Sequence, residues 1–372
     1  LFIEYLSTDI LEKPWYNIGP STMYARILFL DLLSIFMMHQ YQFLGCIDMD
    51  RGGNKYSTTR VDTFGSASCC VLRHCPEQLI HSETLACLSL HSTNIIRVTV
   101  LPSVPKSLIK SVREAVLDSW EAGIASEKLW NDDEWKSSVY EFRLHESPWF
   151  TDGDTTTMTR QLFGSLVARM EFSFGTFYAS VGLSKKQYSL SNLFLKVEKI
   201  SHPICASPQK LLMMSLNSTN RLRLYNATNS NVIDAVRRAI NFLGFTPDLR
   251  VSNRLRHGPY GQSYQFWLKG DPWRSSGQEE VNARMLVAEV LKELLELGEA
   301  VSIVADLGVS SSYKSSFVFH SIEPVRTELF ALSMDGVEIL SITCTSPKLI
   351  SEDLTILRQV WGKEILREEE YG

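Results

Sequence analysis

One pattern recurs three times along the chain, and it constrains the fold more than any other sequence feature. A proline–tryptophan pair occurs at Pro14-Trp15, Pro148-Trp149 and Pro272-Trp273. Eleven residues after each tryptophan the sequence has an arginine, namely Arg26, Arg160 and Arg284. Matching landmarks at matching spacings are the signature of internal repeats, so the sequence predicts three tandem copies of one structural unit.

A second match supports this division. Residues 89–94 read Ser-Leu-His-Ser-Thr-Asn, and residues 215–220 read Ser-Leu-Asn-Ser-Thr-Asn. Each stretch leads into a run of alternating side chains, which is typical of a strand. The third copy has only a weaker counterpart at residues 332–336.

Each copy shows the same order of predicted elements. Alternating apolar residues at 139–144 and 264–268 predict a strand, which the proline ends because it has no N–H for the ladder. A helix follows, since apolar residues recur at helical spacing between Ala283 and Leu297. Four strands and a second helix, ended by Gly123 or Gly244, complete the copy. The sequence therefore predicts an α+β protein of three strand-helix-four-strand-helix repeats, with a mostly antiparallel sheet and helices on one face.

The predicted domain boundaries lie in stretches without apolar periodicity. We expect repeat unit 1 at residues 1–124, unit 2 at 139–246 and unit 3 at 263–372, with linkers at 125–138 and 247–262. The first linker is acidic, and the second contains glycine and proline, as loops do. Because the chain begins at Leu1 within an apolar run, we expect the first strand of unit 1 to be truncated.

Composition limits the classes of protein to consider. The chain has 372 residues, of which 44% are hydrophobic, so each predicted unit is able to bury a core. The formal net charge of −5 gives no overall attraction to nucleic acid or to an anionic membrane. The most lipid-like stretch, residues 23–38, is too short and too charged to span a bilayer. We therefore expect no membrane association and disfavour nucleic acid as a partner.

Cysteine usage bears on the compartment and on metal binding. The seven cysteines do not form a disulfide framework, because their number is odd and their spacing is irregular. This usage favours a reducing compartment, so we predict an intracellular, cytoplasmic protein. Cys69, Cys70, His74 and Cys75 lie close in sequence but lack the paired spacing of a zinc site. We expect neither a metal nor another cofactor.

The recurring tryptophans and arginines are the first candidate binding residues. An indole face and a guanidinium are able to flank a groove for an anionic or aromatic ligand. Residues present in every copy of a repeat usually serve the fold, so we favour structural roles for them. The six positions are Trp15, Arg26, Trp149, Arg160, Trp273 and Arg284.

The second candidate is a basic stretch between Lys210 and Tyr260, which has eight basic side chains against two acidic ones. Residues 118–146 are acidic by contrast, with eight carboxylates against three basic residues. Oppositely charged regions of this kind are able to dock against each other or against a partner. The candidate basic patch consists of Arg221, Arg223, Arg237, Arg238, Arg250, Arg254 and Arg256.

The sequence lacks the short motifs that identify several common classes of enzyme. It has no phosphate-binding loop, no zinc-protease motif and no hydrolase nucleophile elbow. Our leading hypothesis is a non-catalytic scaffold that binds protein partners at the junctions between repeats or on exposed sheet faces. One alternative is a small-molecule-binding or enzymatic module in which one repeat keeps a pocket. A second alternative is RNA binding through the basic region at 210–260. The sequence does not predict an oligomeric state.

Overall fold

The computed structural model describes most of the chain. The described residues are 22–48, 68–74, 84–101, 104–132, 137–150, 155–181, 190–197, 210–245, 263–275, 277–307, 313–335 and 339–344, together with 355, 358 and 359. The linker predicted at 247–262 and the first proline–tryptophan pair lie outside them.

The described part contains helices and strands in alternating groups. The helices are α1 (Thr22–Met38), α2 (Ser107–Ser119), α3 (Thr155–Phe174), α4 (Ser230–Phe242) and α5 (Gln278–Glu296). The first eight strands are β1 (Tyr41–Asp48), β2 (Ser68–His74), β3 (Thr84–His91), β4 (Ile95–Val100), β5 (Ile124–Asp132), β6 (Ser137–Leu144), β7 (Phe177–Val181) and β8 (Asn192–Val197). The others are β9 (Met213–Asn217), β10 (Arg221–Tyr225), β11 (Ser263–Trp267), β12 (Glu299–Ala305), β13 (Tyr313–Ser321), β14 (Phe330–Asp335) and β15 (Ile339–Cys344).

The predicted order of elements is confirmed. From β6 onward the chain forms a strand, the helix α3, the four strands β7 to β10 and the helix α4. The proline–tryptophan pairs of the second and third copies each open a short 3-10 helix, at Pro148–Phe150 and Pro272–Arg274. The protein is therefore an α+β protein with a threefold internal repeat.

The strands form two larger antiparallel sheets. The first has six strands in the order β5-β6-β4-β3-β8-β7, and the second has five in the order β11-β10-β9-β13-β12. The two sheets are built around equivalent hairpins, β3–β4 and β9–β10. Ser92 and Ser218, with φ of 52° and 53°, occupy the same position in the two hairpin turns. The Ser-Thr-Asn sequences matched above are thus the turns of equivalent hairpins.

These sheets divide the chain differently from the predicted boundaries. The hairpin β3–β4, which falls in predicted unit 1, pairs with β6 and β8 of predicted unit 2. Likewise β10 of predicted unit 2 pairs with β11 of predicted unit 3. A folded unit therefore begins at a hairpin of one predicted unit. It is completed by strands of the next predicted unit. The order of elements is the same in both divisions, and only the hydrogen bonding between strands decides where a unit closes.

The linker predicted at 125–138 is wrong, because β5 runs through most of it. Residues of β5 pair antiparallel with β6 from Ile124 to Asp132. β5 is an edge strand of the six-stranded sheet, and its Glu127 and Lys128 are exposed. Charged side chains are common on edge strands, because they oppose unwanted pairing. The acidic, aperiodic sequence thus reflects an edge position and not a connection.

Each sheet buries one face under a pair of helices. In the second sheet Met214, Leu222 and Leu224 form one apolar cluster with Val236 of α4 and Val290 of α5. In the first sheet Ala86 and Leu88 of β3 line a small cavity together with Leu108 and Val112 of α2 and Met170 of α3. Side chains alternate along a strand, so the residues between these face the other way.

The opposite face of the six-stranded sheet is covered by α1. Leu30, Leu33 and Met37 of α1 form a buried cluster with Leu85 and Cys87 of β3. The helix comes from the first repeat copy, whereas the sheet comes from the strands that follow it. Consecutive copies are therefore joined by burial of apolar surface as well as by the chain.

We call the six-stranded sheet with α2 and α3 the first unit, and the five-stranded sheet with α4 and α5 the second unit. An ion pair joins the two helices of each unit, and its polarity differs between the units. In α2 and α3, Arg169 lies 3.0 Å from Glu114, with the arginine on the second helix. In α4 and α5, Arg238 lies 2.6 Å from Glu293, with the arginine on the first helix. A helix paired with the partner from the other unit would place like charges together. This arrangement favours pairing within each unit.

The strands that follow the second sheet form a further hairpin. This hairpin, β14–β15, packs against α5, so α5 contacts both its own sheet and the strands that follow. Among the described residues, no helix combines the length and the apolar character needed to cross a membrane.

Candidate functional site

The second proline–tryptophan pair connects α3 to the β3–β4 hairpin through hydrogen bonds. The Trp149 side chain is fully buried, and its indole Nε1–H donates to the Ile95 carbonyl at 3.1 Å. Its main-chain N–H donates to the Thr93 carbonyl at 2.9 Å. The Thr159 hydroxyl of α3 donates to the Pro148 carbonyl at 2.6 Å. The indole therefore has both an apolar environment and a hydrogen-bond partner, as a buried tryptophan needs.

The third pair repeats this geometry in the second sheet. Trp273 Nε1–H donates to the Arg221 carbonyl at 3.0 Å, and its main-chain N–H donates to the Thr219 carbonyl at 2.9 Å. Its side chain is half-buried. Trp15 lies outside the described residues.

The recurring arginines occupy equivalent helix positions but have different surroundings. Arg160 is fully buried in α3, and its Nη1 donates to the Thr156 carbonyl at 3.3 Å. Arg284 of α5 pairs with Glu280 at 2.6 Å, one turn earlier on the same helix. Arg26 of α1 is 5% exposed, and burial lowers its pKa to about 10. The indoles of Trp149 and Trp273 and the guanidinium groups of Arg160 and Arg284 thus make contacts within the fold.

The candidate basic patch is divided between two faces. Arg221 and Arg223 lie on β10, and strand alternation points them away from the face on which α4 packs, whereas Arg237 and Arg238 lie on α4. The Arg221 guanidinium stacks 3.9 Å from the centre of the Trp267 ring. The remaining candidates, Arg250, Arg254 and Arg256, lie outside the described residues.

Carboxylates on the same unit already engage the two arginines of α4. Arg237 pairs with Asp234 and donates to the Tyr264 hydroxyl at 3.1 Å. Arg238 pairs with Glu293 of α5. Paired charges of this kind contribute less to attraction of a polyanion than free ones.

A buried polar cluster that the sequence analysis did not identify lies between α1 and the six-stranded sheet. Arg97 of β4 pairs with Glu141 of β6 at 2.8 Å, and the two side chains are 9% and 10% exposed. His91 Nε2 lies 3.0 Å from the Ser89 hydroxyl. The sequence contains one indication of this cluster, because Cys87, Ser89 and His91 alternate with apolar residues in β3. Only the position of α1 shows that this face is buried.

Burial controls the protonation of the cluster. It raises the pKa of the Cys87 thiol to about 12, which keeps the sulfur protonated at neutral pH. Burial, followed by the charges of Arg26 and Arg97, lowers the pKa of His91 well below its usual range. A protonated thiol is a poor nucleophile, and a neutral buried histidine lacks the matched pKa of an acid–base catalyst. The arrangement therefore suits a structural hydrogen-bond network better than catalysis.

The second unit keeps part of this network. Asn217 stands in the position of His91, and its Nδ2 donates to the Ser215 hydroxyl at 2.6 Å. Gln265 stands in the position of Glu141, next to the Arg223 that corresponds to Arg97. The hydrogen bond to the serine is thus retained, whereas the ionisable groups are replaced by neutral amides. The second unit therefore lacks ionisable side chains at these two positions.

Replacement of His91 by asparagine is expected to make the protein less sensitive to acid. Because the folded pKa of His91 lies below the unfolded value, its contribution to stability is complete above about pH 6.5 and is lost as the pH falls below that value. His91→Asn introduces the residue that the second unit already uses. Urea unfolding at pH 7 and pH 5 measures how much unfolding free energy each protein loses on acidification. An equal loss in the original protein and in His91→Asn would contradict the prediction.

The described residues contain no group of three or more His, Cys, Asp or Glu side chains placed to hold a metal ion. Of the cysteine-rich stretch, residues 68–74 form β2, and Cys75 lies outside the described part. The side chains of Cys69 and Cys70 are likewise not described.

The threefold repeat and the hairpin-to-strand limits of the folded units agree with a protein-family comparison. A single family model, described as a domain of unknown function, matches residues 7–64, 84–196 and 210–320. The chain belongs to this family. The second and third matches run from β3 to β8 and from β9 to β13, whereas the first covers α1 and β1. No curated protein and no solved structure shows significant similarity to the chain.

Proposed function

We propose that this family member is a non-catalytic tandem-repeat scaffold that binds protein partners in the cytoplasm, at the junctions between repeats or on exposed sheet faces. One observation carries the proposal. In both described proline–tryptophan turns the indole N–H is bonded to a main-chain carbonyl of the adjacent hairpin, so the most strongly repeated residues support the fold. Repeat proteins of this kind bind through surfaces that vary between copies.

Polar differences between the units support the same proposal. The interhelix ion pair is reversed, and Glu141 is replaced by Gln265. An enzyme would instead need groups that converge on a substrate with matched protonation states. The buried cluster around His91 does not offer such groups.

The edge strand β5 is a suitable surface on which to test the proposal. Leu129 is 49% exposed there, beside Lys128, whose Nζ lies 3.2 Å from the centre of the Trp130 ring. An exposed apolar side chain is able to enter an interface with a partner, even where charged neighbours oppose main-chain pairing of the edge. We expect Leu129→Glu to weaken partner binding without unfolding the protein.

Affinity purification of the full chain followed by quantitative mass spectrometry tests this expectation. The matched control is Leu117→Glu on α2, where the leucine is also exposed, at 58%. A partner that is lost only with Leu129→Glu, and that binds the purified chain directly, supports the proposal. Equal recovery of every direct binder by both variants would contradict a role for this surface.

A further inference from the structure

One face of α1 exposes large apolar side chains around the partly exposed Asp31. Leu32 and Ile35 are 39% and 45% exposed, and Tyr24 is 43% exposed. Together with the half-buried Leu28 they follow helical spacing, and we call these four residues the outer α1 face. The other side of the helix, with Leu30 and Leu33, packs on β3. A helix with apolar residues on both sides normally has two packing partners.

The two complete units show what covers this face. Aligned on the proline–tryptophan pairs without a gap, Leu28 corresponds to Leu162 of α3 and Leu286 of α5, and both are fully buried. Leu32 corresponds to Leu166 and Val290, which are fully buried as well. In α5 the two residues share a core with the β9–β10 hairpin and α4. The equivalent face in a complete unit is therefore covered by a hairpin and the helix that follows it.

We call that hairpin and helix a half-unit. The described chain contains two, β3–β4 with α2 and β9–β10 with α4, and they pack with α3 and α5 respectively. Each half-unit uses its apolar face in that packing. The first family match, at residues 7–64, likewise contains the helix but no described half-unit.

We propose that the outer α1 face is a docking surface for a half-unit of this same family. The contact would reproduce an interface that the molecule already forms twice, between α2 and α3 and between α4 and α5. The inference goes beyond the proposed function, because it concerns a helix face and one defined partner. It would stand even if the junctions and sheet faces bind nothing.

The residue at position 35 indicates which type of side chain the docked helix carries opposite it. Ile35 corresponds to Arg169 and Glu293, which pair with Glu114 of α2 and Arg238 of α4. An uncharged Ile35 offers no counter-charge to Glu114, whose side chain is 40% exposed in its own pair. Because a partly exposed charge loses little without its partner, we expect an apolar residue at this position of the docked helix to favour binding only modestly over Glu114.

A second copy of the chain fits this surface less well. Its own half-units are already engaged with α3 and α5, and each would have to leave a buried core to reach α1. Two outer α1 faces meeting directly would lack the sheet that covers this face in the complete units. Self-association through α1 is therefore an outcome that would contradict the proposal.

Binding of a designed half-unit to the full chain tests the proposal. The probe is a polypeptide of residues 84–146 with Glu114→Leu, which comprises the half-unit β3–β4 with α2 and the strands β5 and β6. Circular dichroism first establishes that the probe is folded, and the receptor is the chain of residues 1–372. We expect saturable binding in calorimetry, protection of α1 from hydrogen exchange, and modestly weaker binding by the probe that keeps Glu114. Leu32→Glu in the receptor should weaken binding by about tenfold or more, as for a residue at the centre of an interface. Leu117→Glu in the receptor, an exposed leucine on α2, should leave binding unchanged.

A fused probe makes a negative result decisive. The same polypeptide is joined before Leu1 by a flexible linker, which gives it an effective concentration on the order of millimolar at α1. Protection of α1 that Leu32→Glu abolishes supports the proposal. No protection with either the free or the fused probe would overturn it. Concentration-dependent self-association that Leu32→Glu removes, without binding of the probe, would assign the face to a second copy instead.

Discussion

Replacing Trp149 by alanine is expected to lower the free energy of unfolding of the six-stranded sheet and its helices by about 3–5 kcal/mol. The side chain is fully buried, so its removal leaves a cavity in addition to the lost transfer free energy. The Ile95 carbonyl also loses the indole N–H that donates to it. Urea unfolding followed by far-ultraviolet circular dichroism measures the loss without relying on tryptophan fluorescence.

Two matched variants separate the contributions. Trp149→Phe keeps an aromatic ring but removes the N–H, so a smaller loss is expected. Trp273→Ala removes the equivalent indole of the second unit, which is only half-buried, and its effect should be smaller than that of Trp149→Ala. Equal losses for the two alanine variants would show that burial of the indole is not what stabilises the turn.

Removing one partner of the buried Arg97–Glu141 pair is expected to cost about 3–5 kcal/mol of unfolding free energy. In Glu141→Leu the guanidinium of Arg97, which is 9% exposed, loses the carboxylate 2.8 Å away. The burial of a charge without its counter-charge, more than the loss of the attraction itself, causes the destabilisation. Chemical unfolding at neutral pH measures this cost.

The control for this variant removes both charges together. Arg97→Met combined with Glu141→Leu should recover much of the lost stability, because no unpaired charge then stays buried. Glu141→Gln should cost less than Glu141→Leu, since the second unit places Gln265 at the same position and an amide oxygen still accepts a hydrogen bond. A double variant as unstable as Glu141→Leu would contradict this explanation.

The sequence predicted the elements better than their partners. The strand at 139–144, the helix of the third copy and the hairpin matched at residues 89–94 and 215–220 all follow from periodicity and turn residues. β5 was missed because an edge strand with exposed Glu127 and Lys128 shows no apolar alternation. Periodicity reports which side of an element is buried, and an edge strand buries little.

The candidate residues show the same limit. The equivalent hydrogen bonds of Trp149 and Trp273 accord with the spacing that marked them in the sequence. The cluster of Arg97, Glu141 and His91 does not follow from the sequence, because its members lie on three different strands and come together only when the sheet forms. Likewise Arg221 and Arg237 belong to one basic stretch of sequence but to opposite faces of a sheet.

The sequence by itself determined the threefold repeat, the order of strands and helices, and the α+β class, because these depend on local spacing along one chain. The tertiary structure alone decided where each unit closes. Because the order of elements repeats, a folded unit could begin and end at several points along it. Hydrogen bonds between β4 and β6, which are far apart in sequence, select one of these divisions. The tertiary structure also decided that α1 covers a sheet of the following copy on one side and exposes an apolar face on the other.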